Sequence, residues 1–230
     1  MQRYGTVYGG WNIPKDIQLG PNSIVYSAGV GEDISFDILI QEKFKLTVIL
    51  IDPTYRALKH YEEIQEFFKN DIAKFTGDIQ KDYLTNISKS KPDFSRLIYI
   101  NKGLWSHHDF LKFYKPENEK YVSHTLIKDM YSKNYEHVEV DSIKNIMTAL
   151  NHTHIDILKL DIEGSEIVVL EQMLKDKIFP RYICVEFDLR IKRVDYEDKT
   201  SDIIKALGDS GYKMIDNNQW NCLFILRALR

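Results

Sequence analysis

Long apolar runs are missing from this chain of 230 residues, and cysteine is nearly so. No segment approaches the roughly 18 consecutive apolar residues that a membrane-spanning helix needs, which excludes insertion into a bilayer. The two cysteines, Cys184 and Cys222, each lie inside an apolar run, which favours buried free thiols over a disulfide framework. Residues 1–5 also lack the apolar core of a signal peptide. We therefore expect a cytoplasmic protein.

A surplus of charge of either sign is lacking as well. The 31 basic and 34 acidic side chains leave a net charge of −3, which gives no electrostatic footprint for nucleic acid or for an anionic membrane. The length suits one α/β domain and is short for two. We expect a single domain over residues 1–230, with an N-terminal arm at residues 1–22. We also expect an irregular insertion at residues 106–135, over the active-site face.

A stretch at residues 23–36, in which a strand, a glycine turn and the start of a helix follow one another, organises the pattern of the chain. A short apolar strand runs into Gly29 and Gly31, and a helix is predicted to follow directly, capped by Asp33 or Ser35. The N–H groups of such a turn and of a helix's first turn favour a nucleotide-like group. A second strand at residues 47–51 ends in Asp52, at the spacing of an acid that binds ribose hydroxyls. Pro53 is predicted to start the next helix.

Strands and helices alternate along the chain, which predicts a doubly wound, mostly parallel sheet with helices on both faces. Further strands are predicted at residues 96–101, 155–161 and 182–188, and a helix at 201–207. Residues 212–216 and 221–226 are predicted to close the sheet as an antiparallel pair. Ligands in such folds bind at the carboxyl ends of the strands, which is where the glycine turn, Asp52 and Asp161 are expected.

Two adenosine cofactors fit this pattern, a nicotinamide dinucleotide and S-adenosylmethionine. A dinucleotide needs a third small residue in the turn, and Ile34 stands there instead. The acidic pair Glu32 and Asp33 would repel a pyrophosphate and accept hydrogen bonds from an ammonium group. The antiparallel closing pair is also typical of methyltransferase sheets. S-adenosylmethionine is therefore favoured, and a nicotinamide-dependent oxidoreductase is the alternative.

Several blocks of the chain together resemble the FkbM-type methyltransferases. They are residues 27–37, 51–54, 158–166 and 185–188, joined by weaker similarity at 103–105, 122–125 and 138–142. The Lys-x-Asp-x-Glu-Gly-x-Glu block from Lys159 to Glu166 is the most specific of them. The resemblance implies a Rossmann-like, seven-stranded class I methyltransferase domain. It also implies O-methylation, often of sugars, glycans or natural products. Ser27 departs from the acid that many methyltransferases carry at its position.

The cofactor site is predicted to comprise Ser27, Gly29, Gly31, Glu32, Asp33, Asp52, Thr54 and Asp161. Methyl transfer to a hydroxyl also needs a group that removes the proton. His124 in the 106–135 segment is the candidate base, and Asp161 and Glu163 are the other predicted catalytic residues. Glu163 or Glu166 is alternatively a cap of backbone N–H groups.

A buried lysine needs a partner for its charge, so an ion pair between Lys159 and Glu186 is expected. A divalent cation held by Asp161, Glu186 and Asp188 is the less favoured alternative for these acids. The expected acceptor is an oligosaccharide or a small molecule, which leaves a non-sugar acceptor open. No nucleic acid partner is expected, and the oligomeric state is left open.

Overall fold

The computed structural model describes residues 1–77, 79–118, 123–128, 133–187, 195–218 and 221–227, without the side chain of Asp195. It contains two compact units, Met1–Asn101 and Lys102–Arg230. The expectation of one domain over the whole chain stays a prediction. In the part of the chain that the structure describes, no helix has the length and apolar character needed to cross a membrane.

The first unit is built on three parallel strands. Its elements are β1 (Gln2–Tyr4), β2 (Trp11–Ile13), β3 (Ile24–Ala28), α1 (Ser35–Phe44), β4 (Thr47–Ile51), α2 (Tyr55–Asn70), α3 (Tyr83–Ile87), a 3-10 turn (Phe94–Arg96) and β5 (Leu97–Ile100). Strands β3, β4 and β5 pair in parallel, and β1 and β2 form a separate antiparallel pair. The central strand β4 is buried over almost its whole length, which explains its unbroken run of apolar and β-branched residues.

The second unit contains the remaining strands and helices. They are β6 (Gly103–Leu104), β7 (Asp109–Tyr114), β8 (Tyr135–Asp141), α4 (Ile143–Ala149), β9 (Ile157–Leu160), α5 (Glu166–Lys175), β10 (Tyr182–Glu186), α6 (Asp195–Asp209), β11 (Tyr212–Asn218) and β12 (Asn221–Leu226). Strands β9 and β10 are parallel, and β12 runs antiparallel to both β10 and β11. The pairing of β11 shifts register between Met214 and Asp216, so Ile215 forms a bulge.

The main sheet has seven strands in the order β11-β12-β10-β9-β3-β4-β5. It is mostly parallel and has antiparallel strands at its C-terminal end, which confirms the predicted fold class. Both cysteines are buried and free, as expected. Burial raises the pKa of the Cys184 thiol to about 12, so this thiol is not a nucleophile near neutral pH.

A second, three-stranded sheet has the order β6-β8-β7. Phe113, Val138 and Val140 form a buried apolar cluster on this sheet, and the half-buried Trp105 and Leu111 pack against it. Strand β7 lies inside the 106–135 segment and pairs with β8 as an antiparallel ribbon. The expectation that this segment lies over the active-site face stays a prediction.

Three predicted helix starts differ from the structure. Helix α1 begins at Ser35 rather than directly after Gly31. Helix α2 begins at Tyr55 with Thr54 as its N-cap, so Pro53 precedes the helix instead of opening it. The Thr54 hydroxyl oxygen accepts the Ala57 N–H at 3.2 Å, which satisfies an N–H group that the first turn would otherwise leave unpaired. Helix α6 begins six residues before the predicted position.

Candidate functional site

The turn between β3 and α1, residues 29–34, is called the glycine turn below. Gly29 and Gly31 both have positive φ, 73° and 50°, in the region that favours glycine. The Gly29 N–H donates to the Ile51 carbonyl at 3.0 Å, and the Gly31 N–H donates to the Asp52 carboxylate at 3.0 Å. The structure thus brings the glycine turn and Asp52 together, as the spacing predicts.

Asp52 is held in a defined orientation at the end of β4. The Oδ1 atom accepts the Thr54 N–H at 2.9 Å and the Thr54 hydroxyl at 2.6 Å. The Oδ2 atom accepts the Gly31 N–H, and the whole residue is 5% exposed. Each carboxylate oxygen can accept two hydrogen bonds, so Oδ2 keeps capacity for a ribose hydroxyl. Thr54 therefore orients the Asp52 carboxylate and also caps helix α2.

Glu32 is engaged by Arg56 of helix α2. The guanidinium contacts the carboxylate through two parallel hydrogen bonds, Nε to Oε1 at 2.9 Å and Nη2 to Oε2 at 2.7 Å. This bidentate geometry is among the stronger forms of an ion pair, and the Glu32 side chain is only 9% exposed. Gly77 approaches the same carboxylate so closely that a Cβ there would clash with it. The pair fastens the glycine turn to α2, and the predicted role of Glu32 toward the cofactor stays a prediction.

Asp33 and Ser35 connect the glycine turn to the N-terminal arm. Asp33 accepts the Ser35 N–H at 2.9 Å, but the N-cap position of α1 is occupied by Ile34, so neither Asp33 nor Ser35 is the N-cap residue that the sequence predicts. The other carboxylate oxygen of Asp33 accepts the Thr6 hydroxyl at 2.5 Å. The Tyr83 hydroxyl accepts the Ile34 N–H at 3.3 Å.

In the second unit, residues 161–165 between β9 and α5 form what is called the acidic loop below. Glu166 is fully buried, and its Oε1 accepts the N–H groups of Ile162 at 3.0 Å and Gly164 at 3.1 Å. This confirms the predicted capping role for one of the two glutamates. Burial raises the pKa of Glu166 to about 8, with a smaller contribution from the Asp161 carboxylate. Asp161 and Glu166 therefore lie within electrostatic reach of each other.

His124 lies beside this acidic loop. Its ring stacks on Phe113 with centroids 5.4 Å apart, and its Nε2 is 4.0 Å from a carboxylate oxygen of Glu136. The next residue, Thr125, is fully buried and donates its hydroxyl to the carbonyl of Glu163 at 2.5 Å. The backbone of Thr125 also exchanges two hydrogen bonds with Tyr114 of β7. The structure thus joins the segment that holds His124 to the loop that holds Glu163.

Glu163 has a left-handed backbone, with φ at 52°. Such a conformation is uncommon for a residue with a side chain and stays populated only where surrounding contacts fix it. The Thr125 hydroxyl on the Glu163 carbonyl and the Glu166 carboxylate on the flanking N–H groups are such contacts. The side chains of Thr125 and Glu166 therefore hold the acidic loop in place.

The predicted ion pair of Lys159 with Glu186 is consistent with the strand register. Lys159 pairs with Cys184 across β9 and β10, so strand alternation places Lys159, Cys184 and Glu186 on one face of the sheet. Lys159 is buried, with 3% exposure. Among the residues that the structure describes, no group of three acidic, histidine or cysteine side chains could hold a metal ion. Asp188, one of the predicted ligands, lies outside the described residues.

The contacts of Thr6 with Asp33 and of Arg56 with Glu32 were not predicted, because the partners are far apart in the chain. The contacts of Phe113 and Glu136 with His124 were not predicted either, since no local motif marks them. Thr125 differs from these residues, since it stands next to His124 in one of the blocks that carry the family resemblance.

Comparison with known proteins gives the class of the chain. The model for the methyltransferase FkbM domain matches residues 18–214. The chain is therefore an S-adenosylmethionine-dependent methyltransferase.

It belongs to the FkbM methyltransferase family.

Similar solved structures include a fibrillarin pre-rRNA processing protein from Methanococcus jannaschii. It is 12% identical, with a TM-score of 0.45 over 92% of this chain and 70% of that chain. A second is the fibrillarin/Nop5p complex, at 8% identity and a TM-score of 0.44 over 90% and 73% of the two chains. No curated protein gives a significant match to the sequence.

The residues of the glycine turn fit this cofactor. The Ser27 hydroxyl oxygen is fully buried and has no hydrogen-bond partner among the described residues, so it is available to a bound polar group. Gly29 and Gly31 allow close backbone approach, and Asp52 offers a carboxylate oriented by two other bonds. When bound, S-adenosylmethionine supplies an electrophilic methyl group on a sulfonium. Ser27, the glycine turn and Asp52 are the residues of the first unit that would hold it.

Proposed function

We propose that this methyltransferase methylates a hydroxyl group of a sugar or glycan, and that His124 removes the proton of that hydroxyl. The observation that supports the base is the placement of His124. Its side chain is 10% exposed, is stacked on Phe113 and is followed by the Thr125 anchor on the acidic loop. A base fixed in this way needs little reordering before it reacts.

Each group has a defined task in the proposed reaction. The acceptor oxygen forms a bond to the methyl carbon as the bond from that carbon to sulfur breaks, and the hydroxyl proton passes to the His124 imidazole. Imidazole is a suitable base near neutral pH. Glu136, with an oxygen 4.0 Å from the His124 Nε2, would stabilise the imidazolium that results.

The acidic loop supplies the remaining proposed residues. Asp161 would bind the amino-acid end of the cofactor or serve the acceptor, and the electrostatic contact with Glu166 fits either role. Glu163 contributes its carbonyl to the anchor of Thr125, and its side chain remains a proposed catalytic group.

The sugar acceptor is supported by the family resemblance and by exposed aromatic rings on the β7–β8 ribbon. Phe110 is 62% exposed and Tyr135 is 43% exposed. Aromatic faces of this kind can pack on the apolar faces of sugar rings. Lys112 lies 4.2 Å above the Tyr135 ring, which leaves Phe110 as the more open of the two.

The test is methyl transfer from labelled cofactor to a panel of monosaccharides, oligosaccharides and phenolic small molecules, each with and without a chelator. We expect transfer to at least one sugar. His124→Gln is expected to lower kcat by about 100-fold or more, the usual contribution of a general base. The cofactor Kd measured by calorimetry should stay within about threefold of the wild type, because His124 acts on the acceptor.

The matched control is His137→Gln, since His137 lies exposed on the same ribbon. Its kcat should equal that of the wild type. Transfer to phenols alone would overturn the sugar acceptor, and an unchanged kcat in His124→Gln would overturn the base. Loss of transfer in the presence of chelator would instead favour the cation alternative.

A further inference from the structure

The N-terminal arm meets the glycine turn through Thr6, which lies between β1 and β2. Thr6 is fully buried and uses all of its polar groups. Its hydroxyl donates to Asp33 and accepts the Gly9 N–H at 2.9 Å, and its N–H donates to the Ser35 hydroxyl oxygen at 2.9 Å. Its carbonyl accepts the Gly10 N–H at 3.1 Å and the Arg3 Nε at 3.0 Å.

Backbone packing around these bonds is tight. A Cβ on Gly9 would lie 2.7 Å from the Asp33 carboxyl carbon. A Cβ on Gly5, where φ is +96°, would lie 2.8 Å from the Ser35 hydroxyl oxygen and 2.9 Å from the Phe36 nitrogen. Glycine at both positions lets the arm touch the end of the glycine turn directly, so the Thr6 bonds are shielded from water.

Asp33 links the arm to the turn. Its Oδ1 accepts the Ser35 N–H and its Oδ2 accepts the Thr6 hydroxyl, so both oxygens are fixed. Asp33 is 8% exposed, and a buried carboxylate that loses one of its hydrogen-bond donors destabilises the folded state. Without the Thr6 hydroxyl, Asp33 would turn toward water and the turn would lose one of its attachments.

Thr6 and the rest of residues 1–17 of the arm lie outside the part of the chain that matches the family model, which begins at residue 18. We propose that Thr6 is a positioning residue for S-adenosylmethionine, which holds Asp33 and thereby keeps the glycine turn in the shape that receives the cofactor. This inference rests on the cofactor and not on the proposed acceptor or base. If only a fraction of the molecules has the glycine turn ordered before binding, the apparent affinity for the cofactor is reduced by that fraction.

The test compares Thr6→Val, which removes the hydroxyl at nearly constant shape, with Thr6→Ser, which retains it. Calorimetry with S-adenosylmethionine should show a Kd raised about tenfold in Thr6→Val and within about threefold of the wild type in Thr6→Ser. With a cofactor concentration far above Kd, kcat of Thr6→Val should stay within about threefold of the wild type. This split between Kd and kcat distinguishes positioning from a catalytic role.

Thr200→Val is the matched control for loss of one buried threonine bond. Thr200 is 1% exposed and donates its hydroxyl to the Tyr196 carbonyl within α6. We expect a lower melting temperature and an unchanged cofactor Kd. A Thr6→Val protein with the wild-type Kd would overturn the proposal.

A double-mutant cycle tests whether Thr6 acts through Asp33. The Kd of Thr6→Val combined with Asp33→Ala should equal that of Asp33→Ala alone within about threefold, because the change at Thr6 then has no partner left to release. Losses that multiply would overturn the proposal. If Thr6→Val does not fold, Asp33→Ala, which removes both carboxylate oxygens, becomes the test, and a wild-type Kd in it would likewise overturn the proposal.

Discussion

Replacing Glu166 by glutamine should change how the stability of this protein depends on pH. The Glu166 carboxyl is buried beneath the acidic loop, and burial raises its pKa to about 8 from an ordinary value of 4.5. Folding therefore keeps a proton on Glu166 that the unfolded chain releases above pH 4.5. The stability present below pH 4.5 is lost as the pH rises through about 8, since the unfolded state then binds fewer protons.

The size of the effect follows from the two pKa values. A difference from 4.5 to about 8 corresponds to at most roughly 5 kcal/mol, at about 1.4 kcal/mol for each pH unit. Glutamine keeps an oxygen that can accept the N–H groups of Ile162 and Gly164, and it does not titrate. The free energy of unfolding of Glu166→Gln relative to wild type should therefore rise by up to roughly 4 kcal/mol between pH 5 and pH 8, at about 1.4 kcal/mol for each pH unit.

Urea unfolding followed by circular dichroism at pH 5, 6, 7 and 8 measures this difference. Glu171→Gln is the matched control, because Glu171 is exposed on the same helix. Its difference from wild type should be flat over this range. A flat difference for Glu166→Gln would show that the buried carboxyl does not bind its proton more tightly in the folded state, and would refute the reasoning.

Two further predictions concern stability. Burial lowers the pKa of His60 to about 4, so the stability that the neutral His60 contributes is complete above pH 6.5 and is lost as the pH falls toward 4. The wild type should therefore lose roughly 3 kcal/mol of unfolding free energy over that range, and urea unfolding should show that His60→Gln abolishes this loss. An unfolding free energy of His60→Gln that follows the wild type at every pH would contradict this. Gly208→Ala should stabilise helix α6 by about 0.5 to 1 kcal/mol, because alanine has the higher helix propensity and a Cβ there meets open space. The control is Gly20→Ala, where a Cβ also meets open space but the residue lies in a loop, so no gain from helix propensity is expected. No gain in the thermal melt of Gly208→Ala would argue against the helical role of this residue.

The strands of the main sheet were predictable because their signal is local. The predicted strand at residues 47–51 coincides with β4, since a run of apolar, mostly β-branched residues ends at Asp52. The contact of Asp52 with Gly31 was predictable as well, because parallel strands bring their carboxyl ends to one edge. Helix α6 was only half predicted, since charged residues dominate its first turns and leave no apolar stripe there.

The polar contacts that shape the glycine turn were not predictable from the sequence. Thr6 and Asp33 are 27 positions apart, and Glu32 and Arg56 are 24 apart. Tertiary packing alone decides such pairs, and no period or spacing encodes them. For the same reason the sequence did not reveal that Glu32 and Asp33 bind side chains of the protein, and the predicted contact of these carboxylates with a cofactor ammonium stays a prediction.

The bulge at Ile215 has a consequence for how copies of this protein meet one another. Strand β11 is an outer strand of the second unit, and an outer strand offers unpaired N–H and C=O groups to any other strand that approaches. The register shift between Met214 and Asp216 interrupts that row of groups and increases the local twist. A second chain would find only short regular stretches on either side of Ile215. The irregularity thus guards the sheet against edge-to-edge aggregation, at a place remote in sequence from the glycine turn.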